Sequence, residues 1–308
     1  MKKIYVFFVF IFLFIKNLST YYCAEEINLE SGALSISHGG KKKLNGVVAS
    51  IGENIKIKSD LLIFENDKVF EFIDNVIVYV EDDIKITCQK CVYSAHEQTV
   101  VFYDVNIIKN DITFSSSKCY YYIKKKILEY KDGGRICKEQ TTIFGQNGTF
   151  YIAEGRIQMS NNIIIEIIFN DKNIKIKCDI FDYNTTKKKV FLDGNTKIET
   201  DIGGKDNFIL TTLNNVRYEI DNGMVFFEKI KFNFKNNVGT SNTAVFDLNK
   251  SEIKIKGNVQ LKLFDGSELI CGSINYDFLK NNGLCDGKPI VSINKNTKIC
   301  FEDIAFNL

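Results

Sequence analysis

The sequence predicts an all-β protein built from repeated antiparallel strands, roughly sixteen of them. Three observations carry that prediction. Past residue 50 the chain alternates apolar and polar residues in short runs such as IKI, VFEF, VIVYV, IKIT and VVFY, broken by clusters of Asn, Asp, Gly and Lys. Alternation with a period of two is the pattern of half-buried strands. No stretch beyond the N-terminal segment shows a 3.6-residue apolar stripe, and the alternating runs recur at intervals of 28 to 35 residues.

The first observation sets the class and, with the composition, excludes others. The chain has 308 residues, enough for a large buried core, and a formal net charge of +2. So balanced a charge gives no general case for nucleic acid or for an anionic membrane surface.

The second concerns the N-terminus. Lys2 and Lys3 precede an unbroken apolar run from Ile4 to Ile15, which Lys16 closes. That run is shorter than the ~20 residues of a membrane-spanning helix and matches a signal-peptide core. A cleaved signal over residues 1–24 is the expectation, with a retained short anchor as the alternative. Bulky Tyr22 weakens the cleavage site and argues against lipid attachment at Cys23. The remaining 25–308 is expected to be a soluble chain outside the cytosol.

The third gives the repeat unit. NIKIKSDLLIF from Asn54 aligns with DIKITCQKCVY from Asp83, DITFSSSKCYY from Asp111 and NIKIKCDIFDY from Asn173. Each ends on an aromatic: Phe64, Tyr93, Tyr121 and Tyr183; weaker copies end on Tyr218, Phe246 and Tyr276, with a degenerate copy near Tyr151. About eight strand-turn-strand units result. Roughly sixteen strands is large for one open sheet, which should curl or split into two packed faces.

The alignment columns interpret the most suggestive motif, Cys88-Gln-Lys-Cys91. Nine residues before the aromatic stand Ile55, Ile84, Ile112, Ile174 and Ile209. Five before it stand Ser59, Cys88, Ser116, Cys178, Ser241 and Cys271, all small; two before it stand Leu62, Cys91, Cys119, Phe181, Val216, Ala244 and Ile274. The two thiols thus occupy places that other copies fill with serine, leucine or phenylalanine, which bind no metal. A zinc site would need two more ligands, and His96 lies in a turn without a second such motif. A redox couple belongs at a helix N-terminus, whereas this pair is mid-strand. The core reading is preferred, with metal or redox chemistry as the minority alternative. Both thiols facing inward requires a phase change, such as a bulge, between them. Removal of Cys23 leaves eight cysteines, so disulfides remain open, with Cys91 and Cys119 as a weak candidate pair.

A second feature recurs ten to twelve residues past the aromatic: FIDNV at 72–76, FYDV at 102–105, FLDGNT at 191–196 and IKGNV at 255–259. Asn and Gly tolerate positive φ, so these are expected to be corners where a strand bends. A catalytic role for Asp74, Asp104 and Asp193 would need opposed carboxylates, and the repeat supplies one per unit.

Taken together, I-x-I-x-[small]-x-x-[apolar]-x-[Tyr/Phe], a turn, and F-x-[Asp/Gly]-Asn-Val resemble the OstA-like family of lipopolysaccharide transport, which includes LptA, LptC and the N-terminal domain of LptD. The resemblance runs from about Gly46 to Ile293. It implies a half-open, twisted β-jelly roll in the periplasm. Its interior would shield the acyl chains of lipopolysaccharide or another lipid, and its end strands would pair with LptC-like and LptD-like jelly rolls or head-to-tail with further copies, bridging inner and outer membranes. No cofactor, metal or catalytic residue is implied. The chain is longer than a typical LptA, so the roll should be longer or its strands extended. An LptC-like anchored member is the alternative within the family.

The lining residues of such a trough would be Ile57, Leu62, Phe64, Ile86, Tyr93, Phe114, Tyr121, Ile176, Phe181 and Tyr183. Without the resemblance, an ordinary sandwich core explains the same residues. A structural β-repeat or adhesin is the competing class, although its repeats are commonly of strict period, whereas these drift. An enzyme is disfavoured, since His38 and His96 are the only histidines and neither has a nucleophile-like context. His38 lies in SHGGKKK, read as a basic surface turn, with phosphate or head-group contact as the alternative. The end strands are placed within about Leu34 to Ile57 and at Ile290 to Ile293, with the short Ile299–Phe301 run as a possible addition. The purified protein should give a circular dichroism spectrum dominated by β-structure; a helical content above about a quarter of residues would contradict the class.

Overall fold

The computed structural model describes residues 27–36, 41–81, 83–169, 172–202, 206–212, 214–234, 236–280, 282–294 and 297–307. The expected signal segment 1–24 and the turn holding His38 lie outside them. The described chain is an antiparallel meander. Its first strands are β1 (Ile27–Glu30), β2 (Ala33–Ile36), β3 (Lys42–Ile51), β4 (Ile55–Phe64), β5 (Val69–Val80), β6 (Ile84–Ser94), β7 (Thr99–Lys109) and β8 (Ile112–Tyr122). The middle holds β9 (Ile127–Tyr130), β10 (Gly134–Lys138), β11 (Thr141–Gly145), β12 (Asn147–Tyr151), β13 (Arg156–Phe169), β14 (Lys172–Asn184), β15 (Lys189–Asp193), β16 (Thr196–Ile202), β17 (Asp206–Thr212) and β18 (Val216–Glu219). The last are β19 (Met224–Phe234), β20 (Asn237–Asp247), β21 (Glu252–Lys262), β22 (Glu268–Asp277), β23 (Asn282–Asp286), β24 (Ile290–Asn294), β25 (Thr297–Cys300) and β26 (Ile304–Asn307).

The strand count therefore exceeds sixteen. The reason is local: the 26 strands form nineteen rungs, seven of them broken at mid-length into two short strands. β8, for example, pairs with β9 along its C-terminal half and with β10 along its N-terminal half. Rungs from β3 to the β23–β24 pair number seventeen; the rest come from end rungs that sequence alignment did not count.

One break, at Gly194–Asn195 between β15 and β16, is a predicted corner; the other three predicted corners bend the continuous strands β5, β7 and β21. Asp74, Asn75, Asp104, Gly194, Asn195, Gly257 and Asn258 all have positive φ. Register shifts fall beside them, between Ile73 and Val76 and between Lys256 and Val259. The same bend occurs at Asn161 and Asn162 in β13 and at Gly133 between β9 and β10. Corner asparagines bond to the rung before: Asn75 Nδ2 donates to Asp60 Oδ2 at 2.6 Å, and Asn195 Nδ2 to Asp179 Oδ2 at 3.0 Å. The motif aspartates are thus corner residues. Each bend divides a rung into two arms, whose inner faces pack against one another as one apolar core. This is an all-β, half-open roll of the jelly-roll kind.

The repeat columns become rows across the sheet. In the second arm Phe64, Tyr93, Tyr121, Phe150, Tyr183, Tyr218, Phe246 and Tyr276 occupy one row, alternating with Phe70, Val100, Leu128, Ile157, Val190, Val225 and Ile253. A repeat is two rungs, so the aromatic returns on every second one. In the degenerate unit Phe150 takes the place, while Tyr151 faces the other way. Ile209 is likewise displaced by one residue from its column: buried Phe208 and Leu210 point inward there, and Ile209 is half-buried.

The degenerate unit has a packing cause. Tyr130 is buried, and a Cβ at Gly148 would lie 2.3 Å from its ring, one at Gly134 2.6 Å. The ring fills the space of two absent side chains. Gly148→Ala should lower unfolding free energy by about 1–3 kcal/mol in urea with the β spectrum retained. Gly46→Ala, where nothing lies within 4 Å of the added Cβ, should cost about 1 kcal/mol through its positive φ alone.

Candidate functional site

The interior between the arms is where the described residues of the repeat place their fully buried large side chains. In the first arm Ala49, Ile57, Val78, Ile86, Ile107, Phe114, Ile136, Ile143, Ile165, Ile176, Ile198 and Leu210 form one continuous inward row. Facing it are the aromatic row and its neighbour, which runs Leu62, Phe72, Cys91, Phe102, Cys119 and, further on, Met159, Phe181 and Leu192. All ten proposed lining residues lie on these inward rows. Ile57, Leu62, Ile86, Tyr93, Phe114, Tyr121 and Phe181 are buried, and Phe64, Ile176 and Tyr183 are half-buried against the core. The arms touch directly: the Phe114 and Phe150 rings stand 5.0 Å apart, and those of Phe208 and Phe278 5.5 Å.

Where the arms separate, an apolar cleft of about 80 Å³ opens between them. Its first lip is Ile84, Ile107, Lys109, Ile112 and Phe114; its second is Leu128, Phe150, Tyr151, Ile152, Arg156 and Ile157. At one end the arm tips are joined by an ion pair, Lys126 Nζ to Glu81 Oε1 at 2.6 Å. Beside the cleft Arg156 makes a forked bond to Asp182, which also accepts from Gln158 Nε2 at 3.0 Å, and the guanidinium holds the Asp182 carboxyl below the usual carboxylate range. Two features here were missed by sequence reasoning. Lys109 and Lys138 stand in the inward tip row of the first arm, on either side of Ile112. The Tyr130 hydroxyl is buried in the interior without a hydrogen-bond partner among the described residues. Alternation broken by a lysine at an inward position was the available signal for the first; nothing local marks the second.

The thiols resolve into two structural positions. Cys88 and Cys91 both point inward, because the strand changes phase opposite the Asp74–Asn75 corner. Cys88 belongs to a row that closes the corner. There Ser59 Oγ donates to the Leu61 carbonyl at 3.2 Å, Ser116 to Gly133 at 2.7 Å, Ser241 to Lys256 at 2.7 Å and Cys271 Sγ to Ser273 at 3.4 Å. These small donors satisfy carbonyls that the interrupted ladder leaves unpaired. Cys91 lies between Phe72 and Phe102, and burial raises its pKa, with Cys88 adding to the rise. Burial likewise raises Cys119, and pushes Cys178 up to about 12. Every described cysteine is a free thiol, and Cys91 and Cys119 are not bridged. Phe102 stands between them, and two strand spacings, about 9.6 Å, exceed the reach of a disulfide. His96 is exposed, and no cluster of three or more His, Cys, Asp or Glu suited to a metal occurs among the described residues.

Residues 35–179 match the family model described as OstA-like protein. The match begins in β2 and ends in β14, at Asp179, so it covers the corners and inward rows of the nine rungs from β3 to β13. Among solved structures, LptH from Pseudomonas aeruginosa, described as the LptA homologous periplasmic component of the conserved lipopolysaccharide transport device, matches at 16% identity over 34% of this chain and 80% of LptH, with a TM-score of 0.30. No curated protein matches.

The two cysteine positions predict opposite outcomes. Cys88→Ser should leave stability within about 0.5 kcal/mol, since serine fills that row elsewhere. Cys91→Ser buries a hydroxyl among phenylalanines and should cost about 1–3 kcal/mol in urea. A thiol reagent at pH 8 should modify exposed Cys300 and then half-buried Cys137 in the native protein, and Cys88, Cys91, Cys119, Cys178, Cys271 and Cys285 only after denaturation.

Proposed function

We propose that the protein is a periplasmic lipid carrier of the lipopolysaccharide-transport type, its interior shielding the acyl chains of lipopolysaccharide or a similar lipid and its open ends docking onto other jelly rolls. The reading rests on one observation above the rest: the inward apolar rows are continuous along the roll and reach both ends. At the C-terminal end Leu269, Val291 and Ile299 continue the first-arm row, and Ile299 and Ile293 are exposed by 42% and 54%. An enclosed core would be capped there. The OstA-like match over residues 35–179 supports the same reading, and residues 25–308 are taken as one carrier unit behind a signal segment.

The end strands meet the sequence expectation in part: Ile299 and Cys300 of the expected short run lie in the outermost β25, whereas Ile290–Ile293 does not form an edge. β24 pairs on both sides, with β22 and β25, so Ile290–Ile293 is not an edge. The outermost C-terminal strands are β25 and β26, and the outermost N-terminal ones β1 and β2, which overlap the expected Leu34–Ile57 region only at 34–36. The four-residue β1 and β26 pair along an existing ladder and were too short to register as strands. Backbone groups along such edges recruit further strands, and unlike edges joined head to tail give an open chain of molecules.

Organic extraction of the purified protein should release a lipid at close to one molecule per chain, identified by mass spectrometry. Light scattering should show mass rising with concentration, and Ile293→Lys with Ile299→Lys should hold the protein monomeric with its β spectrum unchanged. A wild type that yields no lipid and stays monomeric at every concentration would leave a plain structural repeat as the better account.

A further inference from the structure

We propose that the cleft between the arms is a site for a single anionic amphiphile: one acyl chain enters the apolar cleft, and a phosphate or carboxylate head is held by Lys109 and Lys138. The inference rests on the lipid-carrier reading and adds to it a place, a head-group charge and two residues.

The tip row of the first arm runs Ile55, Val80, Ile84, Lys109, Ile112, Lys138 and Thr141. Two lysines therefore interrupt an apolar inward row, on either side of the isoleucine that lines the cleft. Local rules are broken where function requires it. A lysine in such a position lays its methylene stem along apolar surface and keeps its ammonium at the water boundary. The two share a row at a separation of two strands, about 9.6 Å between backbones. Two flexible side chains of that length converge readily on one phosphate.

The present partners of both ammonium groups are exchangeable. Lys109 Nζ meets Asp83 at 2.9 Å and Lys138 Nζ meets Asp111 at 3.2 Å, with side-chain exposures of 37% and 49% in the first pair and 40% and 53% in the second. Exposed pairs of this kind contribute little to stability, so a doubly charged head competes for the lysines at small cost. Below the lip the cleft is apolar on both sides, from Ile84 and Phe114 to Phe150 and Ile157. Charge at the rim with hydrocarbon beneath is the pattern of an anionic amphiphile. The 80 Å³ cleft is too small for a whole chain. Occupation therefore requires the arms to part at the Phe114–Phe150 contact, which no backbone ladder opposes.

The test is calorimetric titration of the purified full chain with two lipids of one acyl chain, lysophosphatidic acid and monoacylglycerol, and with inorganic phosphate. Lysophosphatidic acid is expected to bind about tenfold more tightly than monoacylglycerol, and phosphate alone not to bind measurably. Lys109→Gln with Lys138→Gln should reduce the preference to within about twofold. Ile112→Trp, which fills the cleft, should weaken both lipids at least fivefold, and Ile270→Trp, at an exposed position outside the cleft, neither. Equal binding of the two lipids by the wild type, or a preference that survives the double variant, overturns this site and leaves the carrier reading standing. If neither lipid binds and extraction yields none, the carrier reading falls and this site with it.

Discussion

The mid-rung corner is the constraint on which the rest of this structure depends. Positive φ is costly for most residues, and here it recurs in register at Asp74–Asn75, Asp104, Asn161–Asn162, Gly194–Asn195 and Gly257–Asn258. Each corner interrupts strict alternation once. Side chains on both sides of the bend then face the same interior, and a single meander becomes two opposed arms. The small donors at Ser59, Ser116, Ser241 and Cys271 follow from the same bend, since carbonyls turned out of the ladder need a partner from within the corner. Larger side chains at those positions would occupy the space through which that bond is made.

This arrangement distributes stability unevenly. Along the roll, neighbouring rungs are joined by continuous backbone ladders. Across the interior, the described arms meet only through side chains, such as the ring pairs Phe114–Phe150 and Phe208–Phe278 and the Glu81–Lys126 ion pair. Parting the arms would expose apolar surface without breaking the strand pairing of the described residues. In the structure the two inner faces are packed together as one core.

The Cys-x-x-Cys motif shows how a chemical signature arises from geometry. Its spacing of three reflects one residue in the corner donor row and one in the apolar row, on either side of a phase change. Serine is equivalent to cysteine in the first place, and leucine or phenylalanine in the second. Cys91 lies away from the electropositive, solvent-reached setting of a reactive thiol, and burial raises its pKa.

By itself the sequence determined the class, the two-rung repeat, the corners and the inward rows, because each is a local pattern: alternation, a Gly or Asn where φ must be positive, an aromatic at a fixed distance. Leu62, Tyr93, Tyr121 and Phe181 could be placed inside on that basis, and the same cadence carried the resemblance to OstA-like proteins. The tertiary structure decided what depends on neighbours remote in the chain. The two end rungs among the nineteen described could not be counted from alternation, since the four-residue β1 and β26 are too short to stand out. Phe150 rather than Tyr151 completes the aromatic row because Tyr130 needs Gly134 and Gly148 beside it, a three-body packing relation that no spacing expresses. Pairing fixed the free state of Cys91 and Cys119 by setting Phe102 between them. The cleft, and the two lysines at its rim, exist only where arms separated by dozens of residues face each other, and that juxtaposition is set by the bend of every rung together.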